Sequence, residues 1–313
     1  MGIVDDILGG DVRSAARLIT RIENGDTGAY RDLAVLFSRA GNAHIIGVTG
    51  PAGAGKSTLA GQLAVEMARR GRRVGIIATD PSSVSGTGAF LGDRVRMKGA
   101  EEQDIFIRSM AHRSFPGGVA KASAAAAYVM EGLGKDCIIM ESIGAGQSDK
   151  DLFFLCDTVI TIFTPEYGDD IQLFKAGLME IGDIIVINKS DKPGADDAAR
   201  EIGIAADRNA RSNGWHVPVL LSRAVSGEGV LDLADAVEAH RQAVKGQEKL
   251  ASRKAEHLEA FLTALLKEEL WQAVSSRITG HDVFREFSNE VLSGRMDPYS
   301  AVHIILERLG YEK

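Results

Sequence analysis

A chain of 313 residues that is 45% hydrophobic can form one large α/β core with appendages, or two small domains. Its formal net charge of −7 argues against general nucleic-acid binding, which relies on a basic face. With two cysteines, no CxxC and no His-rich tract, a dedicated thiolate or imidazole metal site is not expected, and Cys137 and Cys156 read as free thiols of a reducing cytosol.

The opening stretch MGIVDDILGGDV is acidic and has neither the apolar core of a secretory signal nor the arginines of a transit peptide. Asp6 stands where a myristoylation signal needs Ser or Thr. No apolar run approaches the roughly 20 residues that span a bilayer. The expectation is a cytoplasmic protein without a membrane partner.

Residues 3 to 40 predict short amphipathic helices, with Leu18, Ile19 and Ile22, then Leu33, Leu36 and Phe37, at helical spacing. From His44 the pattern changes to short apolar runs alternating with helical segments: Ile45–Thr49, Val74–Thr79, Ile105–Arg108, Cys137–Met140, Thr158–Phe163, Ile184–Ile187 and Val217–Leu221. Runs that are apolar on both faces predict strands of a mainly parallel sheet covered by helices on both sides. The Ala-rich segment Val119–Met130 reads as a crossover helix. Beyond Gly246, a leucine stripe predicts a long helix over Glu248–Ser275, followed by shorter helices near Val283–Leu292 and Ser300–Leu309, with Pro298 suited to the start of the last. The stripe fits packing on the chain's own domain and a partner-binding arm equally well. The expected division is an N-terminal helical segment (1–42), a central α/β domain (43–246) and a C-terminal helical arm (247–313).

One loop carries the first chemical signal. Gly50-Pro51-Ala52-Gly53-Ala54-Gly55-Lys56-Ser57 matches GxxxxGK[ST], lies behind a predicted strand and opens a predicted helix, Thr58–Arg70. Backbone N–H groups of Gly50, Ala52, Gly53, Ala54 and Gly55 can cradle phosphate oxygens, aided by the helix N-terminus. Lys56, expected on an exposed loop, can reach the β and γ phosphates. Ser57 can offer a hydroxyl to Mg²⁺, with Thr58 beside it. This is the signature of a P-loop NTPase.

The base is read elsewhere. Asn188-Lys189-Ser190-Asp191 follows an apolar run, and Asp191 can accept from the N1–H and 2-amino donors of guanine, which adenine lacks. Asn188 can meet guanine N7, the Lys189 stem can cover the ring, and the Ala224 N–H can serve guanine O6. Arg223 stands before Ala224 where many GTPases have serine. GTP and GDP are thus the expected ligands, with Mg²⁺. Glu141 closes the run Cys137–Met140 and can hold the metal through water, and Gly144, three residues on, can donate its N–H to the γ phosphate. A glutamine immediately after Gly144 is absent, and Gln147 comes later. Intrinsic hydrolysis is therefore expected to be slow.

Three further segments, TDPSSVSGTGAFLGDRVRM (79–97), ESIGAGQSD (141–149) and GDDIQLFKAG (168–177), resemble the MeaB/ArgK-type GTPases that accompany methylmalonyl-CoA mutase. The likeness spans nearly the whole chain. It implies a dimeric P-loop protein of the broad class that includes the signal-recognition and MinD-type NTPases. It further implies a chaperone of an adenosylcobalamin-dependent acyl-CoA mutase, one that gates cofactor loading and protects or reactivates the mutase. By the same resemblance Asp80 and Asp93 belong to the Mg²⁺ and first-switch region, residues 144 to 149 form a second switch, and 168 to 177 form a third that responds to the mutase. Lys175 in the third switch is then a cation that a partner could drive toward the phosphates. Phe90 and the stretch His112-Arg113-Ser114-Phe115-Pro116 depart from the family's usual small residues. Two other readings stay open: a GTPase for maturation of a metal- or corrinoid-protein, and a kinase.

Overall fold

Seven parallel strands form a single sheet in the order β3-β2-β4-β1-β5-β6-β7, with β1 His44–Thr49, β2 Val74–Asp80, β3 Phe106–Ala111, β4 Cys137–Glu141, β5 Thr158–Phe163, β6 Ile184–Asn188 and β7 Val219–Ser222. The computed structural model describes residues 2–39, 43–80, 104–111, 118–142, 156–165, 181–208, 215–246, 248–278, 282–308 and 310. All seven predicted strands are present. The third is shifted, because Phe106–Ala111 pairs in register with Gly75–Asp80, so β2 dictates its extent. The seventh begins later than predicted. Pro218 has no N–H to give a ladder, although its carbonyl still accepts from Ile185.

Both faces of the sheet are covered, which is why the strands read as continuous apolar runs. Successive residues go to opposite layers: Ile46, Ile76 and Ile139 to one core, Ile45, Ile77 and Ile138 to the other. The first core is closed by α4 (Lys56–Arg69) through Leu59 and Leu63 and by α7 (Val230–Gly246) through Leu233 and Val237. The second is closed by the crossover helix α5 (Gly118–Gly132) and by the N-terminal helices α1 (Ile3–Leu8), α2 (Val12–Glu23) and α3 (Thr27–Phe37). Asp11 and Asp26 cap α2 and α3 through the backbone N–H groups of Ser14 and Gly28, as expected of Asp just before an apolar period. Leu18, Ile19, Ile22 and Leu36 are fully buried, whereas Phe37 is exposed and sets its ring edge-on to Tyr128. Arg108 on the edge strand β3 pairs with Glu23 of α2. A smaller core holds α6 (Ala195–Arg208) against β6 through Ile187 and Ile202.

The chain divides into two compact units, Met1–Phe261 and Leu262–Lys313. Three helices follow Gly246: α8 (Glu248–Ile278), α9 (Asp282–Leu292) and α10 (Pro298–Arg308). In the second unit Phe287, Ala301 and Ile305 make a small core, and Asp297 caps α10 ahead of Pro298 at its first position. Leu262, Leu266, Leu270 and Trp271 on α8 are exposed. Among the described residues no helix is long and apolar enough to cross a membrane. Both cysteines are free and buried, and burial pushes the Cys137 thiol up to about 12, so it packs as an apolar side chain.

At the amino ends of the strands runs a buried polar chain. The Thr158 hydroxyl lies 2.8 Å from His44 Nε2 and 2.8 Å from His240 Nδ1. Asp183 accepts from the Val159 N–H at 2.9 Å, and its carbonyl accepts from Trp215 Nε1 at 2.9 Å. A hydroxyl has one proton, so Thr158 donates to one imidazole and accepts from the other. Thr158→Val keeps the shape and removes both bonds. It should cost about 2–3 kcal/mol in urea unfolding, and Thr158→Ser should recover most of it. GDP affinity should not change, because the chain lies at the opposite edge of the sheet from the glycine loop.

Candidate nucleotide site

In a parallel sheet every strand ends at the same edge, so the carboxyl ends of β1, β2, β4, β6 and β7 gather there. The glycine loop is built by close approach. Gly50 has φ +150°, and a Cβ on it would lie 2.3 Å from the Ile162 carbonyl oxygen, so the loop starts pressed against β5. Gly53 and Gly55 take left-handed φ values of +76° and +91°, which turns successive N–H groups toward one hollow. Ala54 is buried beneath it, while Ala52 and Gly53 are exposed.

Lys56 is the first residue of α4, and Ser57 and Thr58 follow in its first turn. The sequence places Lys56 on an exposed loop. In the structure it is buried, with Nζ donating to the carbonyls of Gly50 at 3.0 Å and Pro51 at 3.2 Å. Its stem belongs to the helix, and folding back over the loop is the way for an interior ammonium to keep oxygen partners. The ammonium therefore stands within the hollow rather than in solvent.

Ser57 Oγ donates to Glu141 Oε1 at 2.6 Å. Glu141 is buried at the end of β4, which pairs with β1 on one side and β2 on the other. The Ser142 hydroxyl donates to Thr49 Oγ1 at 3.1 Å and its N–H to the Val48 carbonyl at 3.0 Å, which ties the two strand ends together. A hydroxyl and a carboxylate at one strand edge are hard oxygen donors of the kind Mg²⁺ takes. Asp80 is the last residue of β2, on the same edge. Asp93, Gly144, Gln147 and Lys175 lie outside the described residues, as do Phe90 and the 144–149 and 168–177 segments.

On the base side, Asn188 ends β6. Its Nδ2 donates to the Ala54 carbonyl at 2.7 Å, and its Oδ1 accepts from the Ala224 N–H at 3.0 Å. The side chain so joins the glycine loop to the loop after β7. The motif pairs Asn188 with guanine N7 and the Ala224 N–H with guanine O6. In the structure that N–H is already donated to Asn188, and any bond to O6 must share it. One clue to the brace is in the sequence: Gly55 has to be glycine, since a Cβ there would lie 2.3 Å from Asn188 Nδ2. Lys189 holds a left-handed φ of +59°, Lys192 N–H closes the turn onto its carbonyl at 3.0 Å, and Ser190 N–H reaches the Ser222 carbonyl at 3.0 Å. Asp191 emerges from this turn half exposed, with Arg223 facing it.

The family described as "Methylmalonyl Co-A mutase-associated GTPase MeaB" matches residues 15–279. The chain belongs to the MeaB family. It is a P-loop GTPase of that family. A Pyrococcus abyssi protein named as a GTPase is 39% identical over 311 residues, covering 98% of this chain and 96% of its own length. A fused isobutyryl-CoA mutase of Cupriavidus metallidurans is 34% identical over 221 residues, 68% of this chain and 20% of its own. Among solved structures, one described as an LAO/AO transport system kinase superposes with a TM-score of 0.73 at 22% identity, covering 98% of this chain and 96% of that one. At that identity the likeness establishes the fold alone.

The brace can be tested through Gly55. Gly55→Ala adds a Cβ both to a left-handed backbone and against Asn188. It should cost about 1–3 kcal/mol of stability and weaken GDP binding at least about tenfold. Gly71→Ala is the control: φ is +83° but the space is open. Calorimetric titration with GDP should show the loss in the first variant and wild-type affinity in the second.

Proposed function

We propose that the protein binds and hydrolyses GTP to gate cofactor loading into an adenosylcobalamin-dependent acyl-CoA mutase, and to protect or reactivate that mutase. The observation that carries the nucleotide part is the braced edge. A glycine loop with a buried ammonium stands beside a hydroxyl–carboxylate pair, and one asparagine ties that loop to the turn after β7, next to the guanine-type carboxylate. The mutase part is supported by the family's description and by the relative that is itself a fused acyl-CoA mutase.

In this reading the N–H groups of Gly50 to Gly55 cradle the phosphates, and Lys56 exchanges loop carbonyls for β- and γ-phosphate oxygens. Little covalent work falls to the protein in phosphoryl transfer. Fixed donors that match charge developing on the γ phosphate supply most of the effect. Mg²⁺ would be held by Ser57 and by Glu141 through water, with Asp80 and Asp93 completing the set, and would neutralise phosphate charge when bound. Gly144 senses the γ phosphate and Gln147 orients water. Lys175 is a cation that the partner brings in, so hydrolysis is slow alone and faster with the mutase. Asn188, Lys189, Asp191 and Ala224 form the guanine side. The C-terminal helices, residues 247–313, make a homodimer through the exposed Leu262, Leu266, Leu270 and Trp271 of α8, since isolated monomers rarely leave such a row in water. The protein works in the cytoplasm, away from nucleic acid and membrane.

The mutase reading is tested by single-turnover GTP hydrolysis with a cognate adenosylcobalamin-dependent acyl-CoA mutase added. Stimulation of at least about tenfold is expected, with most of it lost in Lys175→Ala. No stimulation and no nucleotide-dependent association with any such mutase would refute it. Guanine reading is tested by Asp191→Asn, which should weaken GTP binding by about a hundredfold and favour a xanthine nucleotide, whose 2-oxo group needs a donor. A chain ending at Gly246 should run as a monomer in sedimentation where the full chain runs as a dimer.

A further inference from the structure

The loop after β7 places an arginine where a small hydroxyl would serve a guanine-reading aspartate, and its surroundings are built. The N–H of Arg223 donates to the Glu228 carbonyl at 3.0 Å. Its own carbonyl accepts from the N–H groups of Ser226 at 3.0 Å and Gly227 at 3.1 Å, and from the Ser226 hydroxyl at 3.1 Å. The Arg223 backbone is therefore locked by a closed turn. Register brings the two loops side by side: Asn188 pairs with Ser222, and Ser190 N–H bonds the Ser222 carbonyl. Each chain end then projects one charged side chain a short step further, Asp191 from one loop and Arg223 from the other.

Arg223 Nε lies 3.6 Å from Asp191 Oδ1, with the two side chains 49% and 44% exposed. That distance is an ion pair without a hydrogen bond. In water such a half-exposed pair contributes little. A purine stacked over the turn would exclude water from both groups, and the same charges would then interact in a lower dielectric. The Nε–Oδ1 contact is an ion pair and spends no hydrogen bond of the carboxylate. Asp191 so keeps lone pairs on both oxygens for the two guanine donors.

We infer that Arg223 is a specificity-determining positioning residue. It supplies the countercharge that holds Asp191 aligned for two-point recognition of guanine, replacing the neutral hydroxyl by an ion pair that strengthens as the base covers it. This rests on reading Asp191 as the guanine-binding carboxylate. The discriminating ligand is inosine diphosphate, which lacks the 2-amino group and makes one bond to Asp191 where guanosine diphosphate makes two. Misalignment of the carboxylate harms the two-point contact more than the one-point contact.

The test uses the full chain, with equilibrium affinities for GDP and IDP in wild type, Arg223→Gln, Arg223→Lys, Asp191→Asn and the Arg223→Gln/Asp191→Asn double variant. Arg223→Gln should weaken GDP about five- to tenfold and IDP about twofold, so that the preference for GDP over IDP narrows. Arg223→Lys keeps the charge and should recover most of the loss, because the contact is a charge pair and not a forked hydrogen bond. In the Asp191→Asn background Arg223→Gln should have no further effect. Unchanged GDP affinity in Arg223→Gln would overturn the proposal. So would an equal loss for GDP and IDP that persists in the Asp191→Asn background, which would mark Arg223 as a support of the loop. If Asp191→Asn itself leaves the preference for GDP over IDP intact, the guanine reading fails, and the role of Arg223 falls with it.

Discussion

Much of the site depends on one primary amide. Asn188 spends a donor on Ala54 and an acceptor on Ala224, two residues that belong to loops far apart in sequence. Phosphate contacts and base contacts can cooperate only if their separation is set before the nucleotide arrives, because misplacement of a donor by about an ångström removes most of its value. Asn188 joins the two loops from inside, where both of its bonds are shielded from water and its own strand fixes its position. Gly55 is the complementary requirement, since its missing Cβ is the space the amide occupies.

The amide can act as a brace because the sheet is parallel and doubly covered. Parallel order delivers the glycine loop, Glu141, Asn188 and the Arg223 turn to one edge. Burial of both faces leaves each strand end little freedom to drift. The opposite edge is secured differently, by the hydroxyl of Thr158 between two histidines, with Asp183 and Trp215 alongside. A buried polar chain of this kind is stable only when each member is matched, which makes it a device for register as much as for stability. Between the two edges the cores are almost wholly aliphatic and alanine-rich.

Charge is handled locally rather than across the whole surface. The chain is acidic, yet the glycine loop holds a lysine at a helix start. Lys56 is kept among the carbonyls of Gly50 and Pro51, so its buried ammonium retains oxygen partners. The same economy holds at Asp191, whose charge is faced by Arg223 across a turn fixed by backbone bonds. In the second unit, by contrast, large apolar side chains of α8 face outward and the internal core is small.

Much of this could be read from residue order alone. Short apolar runs marked all seven strands, a leucine stripe marked the long C-terminal helix, and GPAGAGKS followed by NKSD pointed to a guanine-nucleotide protein. These signals are local, since a strand's burial, a helical period or a phosphate loop is specified within a few residues. The order of the strands, the folding back of Lys56, the double bond of Asn188, the histidine–threonine chain and the facing of Arg223 to Asp191 are different in kind. Each joins side chains from distant segments, and no periodicity encodes which segments become neighbours. Only the packed sheet decided them, by bringing strand ends to a common edge where a contact of three ångströms can form.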